Sequence, residues 1–104
     1  NARDVGRVLM DGLEGLKERH PIIGDVRGRG LFIGFELVRD RETKEPATDE
    51  AKSLVRQMLS HNVLMSPDGP HSNVIKIKPP MVITEEDAII TLESLGEVLD
   101  EGDW

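Results

Sequence analysis

The chain has 104 residues and carries 13 Lys and Arg against 20 Asp and Glu, which gives a formal net charge of −7. This acidic balance argues against a nucleic-acid partner or an anionic membrane surface, because both require a basic field. The sequence contains no cysteine, which excludes disulfides and thiolate metal sites, and no apolar run approaches the ~18 residues of a membrane span.

The first segment, residues 1–20, predicts an amphipathic helix. Its apolar side chains recur at steps of three and four residues, at Val5, Val8, Leu9, Leu13 and Leu16. Pro21 marks the end of this helix, because the residue before a proline disfavours the helical conformation. The sequence opens on Asn1 rather than Met and enters the helix at once, so we expect a piece of a longer polypeptide.

A β-hairpin is predicted next, at the centre of the sheet. In the segment LFIGFELV the side chains alternate, and one face is wholly apolar, with Leu31, Ile33, Phe35 and Leu37. Gly28 and Gly30 supply the turn that folds residues 24–27 back as a partner strand. Together with Gly34 they also suggest a phosphate-binding loop. A strand follows them, however, whereas such loops lead into a helix, so turn formation is the better interpretation.

The middle of the chain contains a connector and a second helix. Residues 39–46, RDRETKEP, have nothing to bury and are predicted to form a solvated loop. Thr48 and the acidic side chains after it suit a helix N-terminus, so we predict a helix from Asp49 to Ser60. Its buried face would contain Ala51, Leu54, Val55 and Met58.

Two short strands are predicted after this helix. The first covers residues 63–65 and is followed by a loop over residues 66–73, SPDGPHSN, which is dense in turn formers. The second covers residues 74–78, where alternation places Lys76 and Lys78 on the face away from the core. Pro79 and Pro80 end it.

The last helix is predicted to begin at Thr84, an N-cap followed by acidic residues in the first turn. It would end near Gly102, leave Trp104 at a frayed terminus, and bury Ala88, Ile89, Leu92, Leu95, Val98 and Leu99. The element order is therefore α-β-β-α-β-β-α. The predicted fold class is α/β, as an α+β two-layer domain: a small mixed or antiparallel sheet of about four strands with helices on one face.

Lys76 and Lys78 are the strongest local candidates for a functional site. Two ammonium groups on one strand face, next to a Pro- and Gly-rich loop, could hold a carboxylate or a phosphate. The alternative is an ordinary solvated strand face, since lysine is seldom buried.

Other polar residues give weaker indications. Asp68 and His71 flank one loop and could form a proton-transfer pair, although a histidine on a surface turn usually has no such role. His20, His61 and His71 are too scattered in the sequence for a metal site. Arg27 and Arg29 could pair with nearby acids, which would not imply a function.

Four motifs in chain order carry a resemblance to a known family. They are GDVRGRGLFIGFELV at residues 24–38, PAT at 46–48, DGPHSNVIKIKPPM at 68–81 and TEEDA at 84–88. This series resembles the C-terminal part of class-III (subgroup II) pyridoxal-phosphate-dependent aminotransferases. Within that family it is most similar to the ethanolamine-phosphate and phosphohydroxylysine phospho-lyases. The first motif is common to the class, and the third is more specific to this branch.

The resemblance implies a fold-type I enzyme whose active sites form between two subunits. Residues 1–104 would then be one C-terminal small domain, and helix 1–20 would lead into it from a missing large domain. The implied cofactor is pyridoxal 5'-phosphate, bound by that large domain, so no catalytic, cofactor-binding or metal-binding residue is assigned here. The implied partners are the chain's own large domain, a second subunit in a homodimer and a small amine substrate. The implied location is the cytoplasm, or the mitochondrial matrix in a eukaryote.

One functional residue of the family maps onto this sequence. Many class-III transaminases have an arginine in the strand before the two prolines, where it binds the substrate α-carboxylate, and Lys76 occupies that position. Arginine offers a planar bidentate fork, whereas lysine offers a point charge. A substrate without an α-carboxylate, such as phosphoethanolamine, would not need the fork. The resemblance therefore identifies Lys76 as a substrate-binding residue and leaves Lys78 on the solvated face.

The function implied for the parent enzyme is transamination or β-elimination of phosphate, with the cofactor as electron sink. Two readings from other classes remain open. One is a free-standing α/β ligand-binding or regulatory module without catalysis, and the other is a purely structural interaction domain. The length of the native reading frame would distinguish them, because the enzyme hypothesis requires roughly 300 residues before Asn1, with a lysine in a strand-loop context among them.

Overall fold

The computed structural model of the chain describes residues 2–29, 32–77, 84–102 and 104. The helices are α1 (Ala2–Arg19), α2 (Thr48–Ser60) and α3 (Glu85–Glu101). The strands are β1 (Ile23–Arg29), β2 (Phe32–Asp40), β3 (Glu45–Pro46), β4 (Met65–Asp68) and β5 (Val74–Ile77). None of the helices in this described part is long and apolar enough to cross a membrane.

The strands form one antiparallel sheet in the order β1-β2-β5-β4, with β3 paired to β2 beside this path. The predicted fold class and element order are confirmed, with β3 as an additional short strand. Because β5 inserts between β2 and β4, the last strand of the described residues occupies the interior of the sheet. The prediction left open a mixed or an antiparallel sheet, and the observed sheet is antiparallel.

The core lies between the sheet and the helices. Phe35 is fully buried on β2, and its strand neighbours Ile33 and Leu37 are buried on the same face, as the alternation predicts. Apolar side chains of all three helices complete this cluster, among them Val5, Leu9, Leu13, Leu16, Ala51, Leu54, Met58, Ala88, Leu95, Val98 and Leu99. Leu31, the first member of the predicted apolar face, lies outside the described residues.

The connector over residues 39–46 is not the loop that its composition predicts. Strand β2 continues to Asp40, and β3 folds back so that Pro46 pairs with Val38 and Glu45 with Asp40. The Asp40 carboxylate accepts hydrogen bonds from the backbone N–H groups of Glu42 (2.8 Å) and Thr43 (3.2 Å), which closes the turn. The hydrogen bonds of Asp40 to the backbone of its own turn thus allow a charged segment to form a hairpin.

The same connector is also tied to the end of α1. The Arg41 guanidinium donates to the carbonyl oxygens of Lys17 (2.6 Å), Pro21 (3.1 Å) and Ile23 (3.0 Å). Carbonyls at a helix C-terminus have no partner within the helix, so this cation satisfies groups that would otherwise need water. Composition alone does not reveal such a contact.

The prediction of a strand at 63–65 and a loop at 66–73 is wrong by several residues. Strand β4 begins at Met65 and runs through Pro67 to Asp68, whereas Leu64 is exposed and precedes the strand. Proline is tolerated in β4 because this strand is the edge of the sheet. The predicted end of β5 at Pro79 and Pro80 lies outside the described residues.

Three local predictions about the helices are also corrected. Thr48 does not cap α2, since Ala47 holds that position and the Thr48 hydroxyl instead donates to the His71 carbonyl at 2.6 Å. Ile89 is half exposed rather than buried. Trp104 is not frayed, because its indole N–H donates to the Val98 carbonyl at 3.2 Å and its ring packs against the core.

The N-terminus of α3 is confirmed at Thr84. Its hydroxyl accepts from the Asp87 N–H at 3.0 Å, and the Asp87 carboxylate accepts from the Thr84 N–H at 3.2 Å, which makes a complete capping box. Gly102 ends the helix as predicted.

We expect Thr84→Ala to lower the free energy of unfolding by about 1 kcal/mol, because Ala cannot accept the Asp87 N–H. Urea unfolding of the 104-residue chain would measure this loss. Ser60→Ala, at the exposed end of α2, is the control and should stay within about 0.5 kcal/mol. Equal losses in the two variants would contradict a stabilising cap.

Candidate functional site

A groove of about 440 Å³ lies on the sheet face away from the core. It is lined by residues of four strands, including Arg27 of β1, Gly34 and Glu36 of β2, Lys76 of β5 and Asp68 of β4. The groove residues of β1, β2 and β5 alternate with buried neighbours such as Val26, Phe35 and Ile75, which is why their side chains point outward. The polar side chains of the groove therefore belong to the outer face of the antiparallel sheet.

The strand register arranges these residues in two rows across the sheet. Arg27 lies opposite Gly34, Gly34 opposite Lys76, and Lys76 opposite Ser66. We call this the cation row. The next row on the same face contains Asp25, Glu36, Val74 and Asp68, and we call it the carboxylate row. The rows are two residues apart along each strand, a separation of roughly 6.6–6.8 Å.

The two rows are linked by ion pairs. Lys76 Nζ lies 2.8 Å from Asp68 Oδ2, and both side chains are about half exposed, at 61% and 48%. Arg27 Nε lies 2.8 Å from Asp25 Oδ2, and its Nη2 lies 3.7 Å from Glu36 Oε2. The hydrogen bond from Arg27 lowers the pKa of Asp25, and Asp25 in turn raises the pKa of Arg27. Exposed pairs of this kind are worth about 0–1 kcal/mol, so a ligand can exchange with them.

Gly34 occupies the middle of the cation row and leaves the groove floor open. A Cβ at this position would lie 2.6 Å from the Ile75 carbonyl oxygen, a separation that packing does not allow. The backbones of β2 and β5 therefore approach each other closely here, and only glycine fits. Gly28 and Gly34 belong to strands β1 and β2, in agreement with the rejection of a phosphate-binding loop.

The structure assembles some of the predicted polar residues and separates others. Lys76 lies in the groove, while Lys78 lies outside the described residues. Asp68, expected beside His71, pairs with Lys76, and the His71 carbonyl accepts from Thr48. Arg27 pairs with acids as predicted, and the side chain of Arg29 is not among those described.

The other two histidines belong to the helical layer. His20 Nε2 lies 3.0 Å from Asp100 Oδ1, and His61 Nδ1 lies 4.0 Å from Glu97 Oε2. Within the described residues, no group of three His, Cys, Asp or Glu side chains could hold a metal ion.

Gly34, Glu36 and Ser66 are site residues that sequence reasoning missed. They join Lys76 only through cross-strand pairing, and pairing depends on β5 lying between β2 and β4. The available indication was a glycine in the middle of an otherwise strong strand pattern, which often marks a close backbone approach.

Comparison with known proteins assigns the family. The family model described as aminotransferase class-III matches residues 1–99. The chain belongs to the class-III aminotransferase family. The match includes all four segments that carry the motifs, which lie between residues 24 and 88.

Individual relatives show the range within this family. The chain is 47% identical over 95 residues to alanine–glyoxylate aminotransferase 2 homolog 2, mitochondrial, of Arabidopsis thaliana, covering 91% of this chain and 20% of the relative. It is 39% identical over 100 residues to ethanolamine-phosphate phospho-lyase homolog 1 of Caenorhabditis elegans, covering 95% and 21%. The chain thus spans about a fifth of the length of these relatives.

A solved structure agrees with the fold. An Arthrobacter phospholyase in complex with phosphoethanolamine superimposes with a TM-score of 0.89 at 37% sequence identity, covering 97% of this chain and 24% of that one. The two-layer arrangement with its central β5 therefore also occurs within a much longer phospholyase chain.

Proposed function

We propose that this chain is the C-terminal small domain of a pyridoxal-phosphate-dependent enzyme that acts on a small amine, with α1 leading in from a preceding large domain. The reaction is phospho-lyase β-elimination on a phosphoethanolamine-like substrate, or transamination. The observation that supports the proposal is that Lys76 lines an open groove. The resemblance to the family gives this residue the position of the substrate-binding arginine. Phospho-lyases among the relatives, one of them solved with phosphoethanolamine, support the first reaction.

Lys76 is proposed to bind the anionic end of the substrate. Its ammonium group is held over the groove by a half-exposed carboxylate, so a substrate anion can replace Asp68 at low cost. A lysine offers a point charge that suits a phosphate as well as a carboxylate, whereas the bidentate match to an α-carboxylate is lost. Lys76 thus favours the phosphate-bearing substrate over an ordinary amino acid.

The groove lacks the backbone donors that commonly hold the phosphate group of a cofactor. Phosphate groups of cofactors are commonly held by backbone N–H groups at helix N-termini or glycine-rich loops. Here every lining residue belongs to a strand, and the neighbouring backbone groups take part in the β ladder. The cofactor, which supplies an electron sink next to the amine, is therefore proposed to bind to residues outside this chain.

The proposed assembly is a homodimer in which the small domain contacts its own large domain and contributes one polar wall of the site. Closing such a wall over a substrate is a common role for a small domain. The proposed location is the cytoplasm or the mitochondrial matrix, and the Arabidopsis relative is a mitochondrial protein by name.

We expect the full-length protein to release phosphate from phosphoethanolamine and the isolated 104-residue chain to be inactive. The chain should also show no cofactor absorbance band when titrated with pyridoxal phosphate. Phosphate release, amino-group transfer from alanine to glyoxylate and absorbance titration measure these outcomes. Transfer without phosphate release would favour the transaminase alternative. If the isolated chain formed a cofactor absorbance band that disappeared when its lysines were blocked, the proposal that the cofactor binds outside this chain would be contradicted.

A further inference from the structure

We propose that Arg27 is a second cationic residue of the substrate site, and that Arg27 and Lys76 together bind a tetrahedral dianion over Gly34. This inference rests on the proposed role of Lys76 and extends it to a residue for which the sequence indicates only a surface ion pair. It also names the ligand chemistry, a phosphate monoester dianion rather than a carboxylate. Both side chains line the same groove.

The register places the two cations symmetrically about the glycine. Arg27 and Lys76 are each the direct cross-strand partner of Gly34, one on either side of β2. With neighbouring strands about 4.7–4.9 Å apart, their backbones lie roughly 9.4–9.8 Å from each other. Both side chains are long enough to converge above the centre of this gap, where Gly34 contributes no side chain. The space between these two strands can therefore hold a small oxyanion that both side chains contact.

The carboxylates nearest to this position lie in the other row. Asp25, Glu36 and Asp68 all lie in the carboxylate row, one two-residue step along the strands from the cation row. Arg27 and Lys76 now contact these carboxylates, so a ligand above Gly34 must draw both cations away from the carboxylate row. Ser66 extends the cation row beyond Lys76 and adds a hydroxyl donor to the same groove.

The existing ion pairs permit the exchange. The Arg27 side chain is 62% exposed and the Lys76 side chain is 61% exposed, so both can swing from their carboxylates toward a ligand. A dianion interacts with both cations at once, whereas each present carboxylate carries one charge. Two positive charges facing one position therefore favour the doubly charged ligand.

The test uses two tetrahedral oxyanions of nearly equal shape, sulfate with two negative charges and methanesulfonate with one. Each is measured as a competitive inhibitor of amine turnover by the full-length holoenzyme, at constant ionic strength. The variants are Arg27→Met, Arg27→Lys and Lys76→Met. Arg39→Met is the matched control, because Arg39 also lies on the sheet but pairs with Glu45 and Glu50 away from the groove.

Removing one positive charge from the site weakens the binding of a dianion more than the binding of a monoanion. In Arg27→Met we expect the inhibition constant for sulfate to rise about tenfold and that for methanesulfonate about threefold, so that the preference for sulfate falls about threefold. Arg27→Lys keeps the charge and should keep most of this preference. Arg39→Met should leave both constants unchanged. A purely structural role of Arg27 would not alter the ratio of the two constants.

The possible outcomes distinguish the inferred role of Arg27 from the proposed role of Lys76. If Lys76→Met raises both constants and Arg27→Met behaves like Arg39→Met, Arg27 is not part of the site and the role of Lys76 stands. If Lys76→Met has no effect, the proposed site of substrate binding fails as well. No inhibition of the unmodified enzyme by sulfate would overturn the dianion site directly.

Discussion

Replacing Lys76 by Met in the full-length enzyme is expected to lower kcat/KM for phosphoethanolamine by roughly ten- to a hundredfold. Met retains much of the apolar stem and removes the charge, so the substrate loses one charge-assisted contact worth about 1.5–3 kcal/mol. Steady-state kinetics of the purified variant measure the loss as a difference in transition-state stabilisation.

Two lysine variants serve as controls for Lys76→Met. Lys52→Met removes an exposed charge on α2, outside the groove residues, and should change kcat/KM little. Lys78→Met, two residues further along the sequence, is also expected to cost little. Equal, small effects on kcat/KM at Lys76 and Lys78 would show that Lys76 is an ordinary solvated residue without a role in substrate binding.

Lys76→Arg completes this series, because it keeps the charge and restores the bidentate fork. It should improve the handling of α-carboxylate amino donors relative to phosphoethanolamine. Comparing kcat/KM for alanine and phosphoethanolamine in the same variant gives the preference directly.

Phe35→Ala is expected to lower the free energy of unfolding by about 3–5 kcal/mol. Phe35 is fully buried on β2, where it pairs with Val26 of β1 and Ile75 of β5, so its loss leaves a cavity where three strands meet. Domains of this size are stable by about 5–15 kcal/mol, so the variant loses a large part of its stability. Urea unfolding of the 104-residue chain, followed by circular dichroism, measures the change.

Ile89→Ala is the matched control for this core variant. Ile89 is also a large apolar residue in a regular element, but half of its surface is exposed in the chain. Its truncation removes little buried area and should cost under about 1 kcal/mol. Comparable losses at Ile89 and Phe35 would show that the core does not centre on β2.

Local patterns were sufficient for most of the elements. Alternation around Ile33, Phe35 and Leu37 identified β2, and the Thr84 cap identified the start of α3, because both depend on residues close in the sequence. Patterns failed where a distant contact decides the outcome. The Thr48 hydroxyl bonds to the His71 carbonyl instead of capping its helix, and Pro67 enters β4 because this strand is an edge of the sheet among the described residues.

Of the candidate site, the sequence predicted only Lys76 as a substrate-binding residue. Alternation placed Lys76 on the outer face, and the resemblance to class-III aminotransferases gave it a role. The partnership with Asp68, Gly34 and Arg27 depends on the order of strands, which no local spacing contains. Ile89 shows the same limit on the helical side, since its helical spacing suits burial although half of its surface stays exposed.

The interior position of β5 has a consequence for synthesis of the protein. One edge of β2 pairs with β1 as soon as the first hairpin is made, and β3 then pairs with Val38 and Asp40, but the second edge of β2 at residues 34–36 waits for residues 74–76. Until then its N–H and C=O groups can pair with strands of other chains, and β4 also has no partner in the sheet. The nascent chain is therefore most exposed to aggregation after Asp40 has left the ribosome and before Ile77 has followed.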